Sequence, residues 1–134
     1  MGNPEHPNVT LFKEAEAAMQ SAGPEAWVNY LADDVVWHEI GADEPIRGKL
    51  ALAERWAGLG EAFGDLTTET HAVMADDEHV VQLVNVTVTK PDGETFKYRT
   101  AEIYHVKDGK VTERWAFSDD TDRINRFFTG APPA

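Results

Sequence analysis

The chain has no cysteine, which excludes disulfides, a thiol nucleophile and thiolate metal sites. It is poor in positive charge, with 12 basic residues against 24 acidic ones and a net charge of −12. Nucleic acid and anionic membranes both need a basic surface, so neither is expected as a partner. Only Ser21 and Ser118 are serines, and neither sits in a nucleophile elbow. No apolar run approaches the roughly 18 residues that span a bilayer. Met1 to Asn8 lacks an apolar leader core, so a cytoplasmic protein is the expectation. His6, His38, His71, His79 and His105 show no helical His-x-x-x-His spacing. Gly58, Gly60 and Gly64 lie within and after a helical pattern, with the wrong spacing for a dinucleotide loop. Neither a metal nor an organic cofactor is therefore expected.

What is present fits one domain of 134 residues with a single core. Leu11, Phe12, Ala15, Ala18, Met19 and Ala22 recur at helical spacing, and Gly23 ends that helix. A short helix is predicted over Pro24–Leu31, with Trp27 inward. Val35 to Glu39 reads as a strand, Gly41 to Gly48 as loop, and Lys49 to Phe63 as a third helix through Leu52, Trp56, Leu59 and Phe63. After Gly64 the period changes to two. Four strands are predicted, near 66–74, 79–90, 95–106 and 110–117, joined by turns at Asp76-Asp77-Glu78, Pro91-Asp92-Gly93 and Asp108-Gly109. A last helix starts near Asp120 and uses Ile124, Phe127 and Phe128, and the tail from Gly130 is expected to fray. The pattern is α+β, with early helices covering one face of a mostly antiparallel sheet. Val80, Val84, Val86 and Val88 share one face, as core or as an apolar interface patch.

The chemistry concentrates in two acids. Glu39 ends an apolar strand beside His38, and Glu102 lies mid-strand between Ala101 and Ile103. An acid buried in an apolar wall without a partner costs several kcal/mol, so it must be protonated or hydrogen-bonded. Glu39 shares strand parity with Trp37, and its other reading is a strand-end carboxylate paired with Arg47 or open to water. Glu102 shares a face with Tyr98, Thr100 and Tyr104. That face is either a cavity wall of two phenols and an acid, or a wet surface where Arg114 or Lys97 answers the charge. His38 points the other way, outward or into an interface. Arg99 and His105 lie opposite Glu102. Asp119 ends the last strand, where Ser118-Asp119-Asp120 also reads as a helix cap. Trp27, Trp37, Trp56, Phe63, Tyr104, Trp115 and Phe117 are core residues that also suit pocket walls.

The run Leu31-Ala32-Asp33-Asp34-Val35-Val36-Trp37, then Glu44-Pro45-Ile46-Arg47-Gly48, then Asp108-Gly109-Lys110-Val111-Thr112-Glu113-Arg114-Trp115 with Asp119-Asp120, resembles the SnoaL-like and ketosteroid-isomerase-like branch of the nuclear transport factor 2-like superfamily. The resemblance covers about Val9 to Phe128 and implies a cone-shaped, curved, cystatin-like sheet wrapped around the N-terminal helices. It also implies a homodimer and an enclosed apolar pocket for a small hydrophobic molecule. By position it makes Glu39 a catalytic base and Glu102 a protonated donor to an oxyanion; the pKa logic is that of the ketosteroid isomerase worked case. It places an acid near Asp119 in cyclases. The isomerases' first-helix tyrosine is missing, with Glu16 or a neighbour at that position, which argues against steroid isomerisation. Three readings stay open: a carboxylate-driven proton-transfer enzyme with Glu102 or Tyr98 steadying the oxygen, a binding protein, and a dimerisation module.

Overall fold

The protein is described here by a computed structural model covering residues 5–63 and 65–129; of residues 24, 59–63, 65 and 127–129 only the backbone is described. Helix α1 spans Pro7–Ala22 and starts a turn before the apolar period does. Pro7 supplies the pre-set φ of a first helical residue, and the His6 ring nitrogen accepts from the Asn8 N–H at 3.1 Å. Gly23, at φ +90°, ends it. Pro24–Tyr30 is wound as a 3-10 helix rather than an α-helix.

The strands are β1 (Leu31–Trp37), β2 (Ile46–Arg47), β3 (Asp65–Ala75), β4 (His79–Thr89), β5 (Thr95–Lys107) and β6 (Lys110–Ser118). Helix α2 (Lys49–Phe63) precedes β3, and α3 (Thr121–Thr129) ends the chain. Asp120 caps α3, accepting from the Arg123 N–H at 3.0 Å. One six-stranded sheet runs β2-β1-β6-β5-β4-β3, antiparallel except where β1 joins β6 in parallel. β1 starts four residues earlier than its β-branched content indicates, and β2 lies within the expected loop. Short turns join β3 through β6 as hairpins, and Asp108-Gly109 has positive φ at both residues, the two-residue turn that right-twisted strands favour.

The sheet is curved and open. Register shifts occur at Thr70/Ala72, at His105/Val106 and between Leu31 and Val36, and an inserted residue bends a strand. The concave face carries the core. Phe12, Leu31, Val35, Leu52, Val80 and Val111 are essentially solvent-free there, and each such side chain contributes roughly 1.5–3 kcal/mol by burial. Of the two readings for Val80, Val84, Val86 and Val88, the core is the one observed. The side chains of Phe127 and Phe128, like the tail from Gly130, lie outside the described residues. Among the described residues no helix is long and apolar enough to cross a membrane.

Candidate functional site

The concave face gathers a polar cluster into an aromatic surround. On β5 the inward positions are Phe96, Tyr98, Thr100, Glu102 and Tyr104, set by strand alternation. On β6 the inward residue beside Tyr104 is Arg114, which also lies next to Trp37 of β1. The Glu102 side chain is 13% exposed and that of Arg114 10%. Glu102 accepts hydrogen bonds from the hydroxyls of Thr100 (3.0 Å) and Tyr104, and faces the Arg114 guanidinium at 3.5 Å. Two donors and a cation are the partners of a carboxylate rather than of a protonated acid.

Arg114 has further ties. One terminal nitrogen donates to the His38 carbonyl at 2.9 Å, and the guanidinium lies 4.6 Å from the centre of a Trp37 ring. Its Nε–H is buried and lacks a hydrogen-bond partner. A buried donor left unmet costs roughly 1–3 kcal/mol, and more when charged. Burial drives the Tyr98 phenol up to about 12, with the Glu102 charge adding to the effect. Tyr104 is pushed well above its ordinary value by the same causes in the same order. Both phenols are therefore neutral donors across the physiological range.

Tyr104 anchors the aromatic wall. Its ring lies 4.7 Å from Phe12 and 6.0 Å from both Trp27 and Trp37, edge to face, and Trp56 meets Trp37 at 5.2 Å. Phe63, expected in the same wall, has a side chain outside the described residues. Glu39 sits just past β1. Its two oxygens face the Arg55 Nε at 3.2 and 3.3 Å, an arginine of α2 rather than Arg47, and its side chain is 27% exposed. The loop that follows is held tightly: Gly41 has φ +77°, and a Cβ there would meet the Asn125 side chain of α3 at 2.3 Å. The positive φ favours glycine, and any Cβ would require the Asn125 side chain to move.

The remaining expected site residues stand on the convex face. Trp115 and Phe117, read as pocket walls, do not reach the concave cluster, and Phe117 is 61% exposed. The reason is one inserted residue. The turn pairs Lys107 with Lys110 and Val106 with Val111, but His105 then pairs with Glu113, leaving Thr112 extra. In an unbroken ladder Trp115 would oppose Glu102 and face inward; the bulge turns Trp115 out and Arg114 in. His38 stacks on Trp115 (5.6 Å between centroids, 2° between planes) and meets Glu113 at 2.8 Å. Asp119 binds Arg99, away from Glu102. The Arg99 main-chain N–H, with help from its guanidinium, holds this carboxyl below the usual range.

Arg114 and Gln82 are the residues the sequence reading underused. Gln82 is buried opposite Glu102. Its signal was available in the alternation of β4; of Arg114 and Lys97, the two answers expected for the Glu102 charge, Arg114 is the one that faces it. The described residues also form two open grooves of about 590 Å³, one over Asn85, Lys97, Arg99 and Asp119, the other between α1 and β3 beside Glu16 and Thr70. Neither includes Glu39 or Glu102.

The SnoaL-like domain family matches residues 12–114, and the chain belongs to that family. Similar solved structures agree on the fold. An NTF2-like protein of unknown function from Burkholderia pseudomallei K96243 is 16% identical, with a TM-score of 0.79 over 93% of this chain and 99% of that one. TerC, crystallised with polyporic acid, is 18% identical, with a TM-score of 0.77 over 92% and 99%. A candidate SnoaL-like polyketide cyclase from Jannaschia sp. CCS1 is 19% identical, with a TM-score of 0.72 over 98% and 100%. Among curated proteins none matches the chain significantly.

Proposed function

We propose that this protein takes a small hydrophobic carbonyl compound into an apolar pocket on the concave face and moves a proton at the carbon beside the carbonyl. The observation that carries the reading is the Glu102–Arg114–Tyr104–Thr100 cluster, polar groups held against an otherwise aromatic core. Glu39 is the base: it follows His38, whose carbonyl accepts from Arg114, and its carboxylate faces Arg55 of α2. Tyr98, a neutral phenol oriented inward, is a donor to the carbonyl oxygen as charge builds there. Glu102 holds the donors in place rather than giving a proton. The reading needs no metal and no organic cofactor. A fold-mate crystallised with polyporic acid is compatible with it.

Deuterium exchange tests it without knowledge of the natural substrate. The probe is 2-tetralone, a bicyclic ketone with an acidic C–H, followed by NMR in heavy water. The protein is expected to accelerate exchange over buffer, and Glu39→Gln to reduce that acceleration by at least about 100-fold. Acceleration unchanged in Glu39→Gln removes Glu39 from the base role.

A second reading has its own support. Both acids face arginines, Glu39 at Arg55 and Glu102 at Arg114, an arrangement suited to a binding protein that performs no chemistry. Tetralone bound but not exchanged decides for it. Under either reading two copies are proposed to pair through the convex face, where Met74 (49%) and Phe117 (61%) are exposed.

A further inference from the structure

The polar cluster assigns a ligand chemistry more narrowly, on the footing of the pocket just proposed. Arg114 is a buried cation with one N–H unused: one terminal nitrogen serves the His38 carbonyl, another faces Glu102, and Nε has no partner. A buried donor without an acceptor is a place where an acceptor belongs. The charge around it is balanced already. Glu102 neutralises Arg114, and the Thr100 and Tyr104 hydroxyls are spent on Glu102. A carboxylate arriving at Nε would meet the Glu102 charge close by and would have to leave water to do so. An apolar group would leave Nε unmet. A neutral carbonyl oxygen satisfies the donor without adding charge.

We propose that the Nε–H of Arg114 seats the carbonyl oxygen of the ligand, and that the Arg114–Glu102 pair selects neutral ketones over carboxylates and over apolar isosteres. In the exchange step the C–H electron pair becomes the new C=C bond and the carbonyl π pair moves onto oxygen. The proton goes to Glu39. The enolate oxygen is steadied by the Nε–H, which keeps its proton, and return of a proton or deuteron from Glu39 restores the ketone. The same donor thus serves binding and, more strongly, the charged intermediate.

The test compares three probes of one shape on the whole chain: 2-tetralone, 2-methylenetetralin, in which CH₂ replaces the oxygen, and the anion of tetralin-2-carboxylic acid. Affinities come from NMR titration, and the Arg114 Nε–H cross-peak, assigned through its contacts with the Trp37 ring, reports on the donor directly. The ketone is expected to bind at least tenfold tighter than the other two and to move that cross-peak. Arg114→Lys should erase the preference; should that variant fail to fold, the wild-type cross-peak still decides. Equal affinity for ketone and methylene compound, an unmoved cross-peak, or tightest binding of the carboxylate each overturns the assignment while leaving the pocket standing. Failure of all three probes to bind overturns the pocket itself, and this assignment with it.

Discussion

Neighbouring residues of one strand, Glu113 and Arg114, build two charged clusters on opposite faces of the same sheet. Outside, Glu113 meets His38 at 2.8 Å and His105 at 3.9 Å, and its side chain is 30% exposed. Inside, Arg114 meets Glu102 at 3.5 Å with both side chains nearly dry. The outer contact is the shorter of the two, yet distance does not rank them. Water and salt screen the outer cluster, so pairs of that kind contribute about 0–1 kcal/mol. The inner pair is in a medium where each charge depends on the other, and breaking it strands a charge. The same argument makes the inner cluster the one able to act on a ligand, since donors outside are already served by water.

The sharpest way to break this contrast is a double-variant cycle. Glu102→Leu is expected to cost roughly 3–5 kcal/mol by leaving Arg114 unpaired, or about 10–20 °C in thermal midpoint for a domain of this size. Arg114→Leu should cost a similar amount, and the double variant much less than the two together. Glu113→Gln outside should cost under about 1 kcal/mol. Thermal and urea unfolding followed by circular dichroism measure all four; strict additivity at Glu102 and Arg114 would show the inner pair to be as screened as the outer one.

Packing gives the next comparison. Phe12 is 1% exposed and touches Trp27 and Tyr104, while Phe117 is 61% exposed on the convex face. Phe12→Ala should cost about 3–5 kcal/mol. Phe117→Ala should lie within about 0.5 kcal/mol in dilute solution. If copies pair through the convex face, its cost grows with protein concentration, because dimerisation adds to apparent stability by mass action. Unfolding midpoints at several concentrations, with sedimentation, separate the two.

The contrast between faces also explains what the sequence could reveal. Strand periodicity placed Tyr98, Glu102 and Tyr104 together and put Arg99 and His105 opposite, because β5 pairs with β4 without a break from His79↔His105 to Thr89↔Thr95. The helical face of Leu52 and Trp56 was equally plain. β6 was not, since one inserted residue at Thr112 reverses the faces of all that follows and leaves no trace in the alternation of side chains. β1 was half hidden for another reason: its first residues are held by parallel pairing to β6, a long-range contact, while Asp33 and Asp34 read locally as a break. The arginines that answer the two acids, Arg55 and Arg114, come from α2 and β6. Arg114 was one of the two answers expected for Glu102, whereas Arg55 takes the place expected for Arg47 at Glu39, a pairing between a strand end and a helix that has no short signature in the sequence.

The phenols extend the contrast into alkali. Burial, then the Glu102 charge, pushes Tyr98 up to about 12, while in the unfolded chain it ionises near 10. Between those values the folded state keeps a proton that the unfolded state has lost. Stability is therefore fully present below pH about 10 and falls as the pH climbs towards 12, by roughly 2–3 kcal/mol for this group. Tyr104 shifts in the same direction and adds to the fall. Tyr98→Phe should flatten that limb of the stability curve, read from urea midpoints at pH 9 to 12; an unchanged limb would mean that Tyr98 is wet in solution.

The smallest effect is expected at the rim, where β3 turns into β4. Asp76 accepts from the main-chain N–H groups of Glu78 (2.8 Å) and His79 (2.7 Å) and from the His79 ring (3.0 Å). The Glu78 N–H first, and then the His79 ring, hold its carboxyl below the usual range although the side chain is exposed. A lowered carboxyl supports the fold above the unfolded value of about 3.9 and stops doing so as the pH falls through its own lower value. The sign is opposite to that of Tyr98, so acid and alkaline limbs report different regions of one sheet. Asp76→Asn should flatten the acid limb alone, leaving the alkaline limb as in the wild type. Hydrogen exchange at the Glu78 and His79 amides is the direct readout: both should quicken relative to the wild type at pH 6 and lose that difference as the pH falls through the lowered Asp76 value. Amides equally protected in the variant and the wild type at pH 6 would show that the turn is held by its strands rather than by this carboxylate.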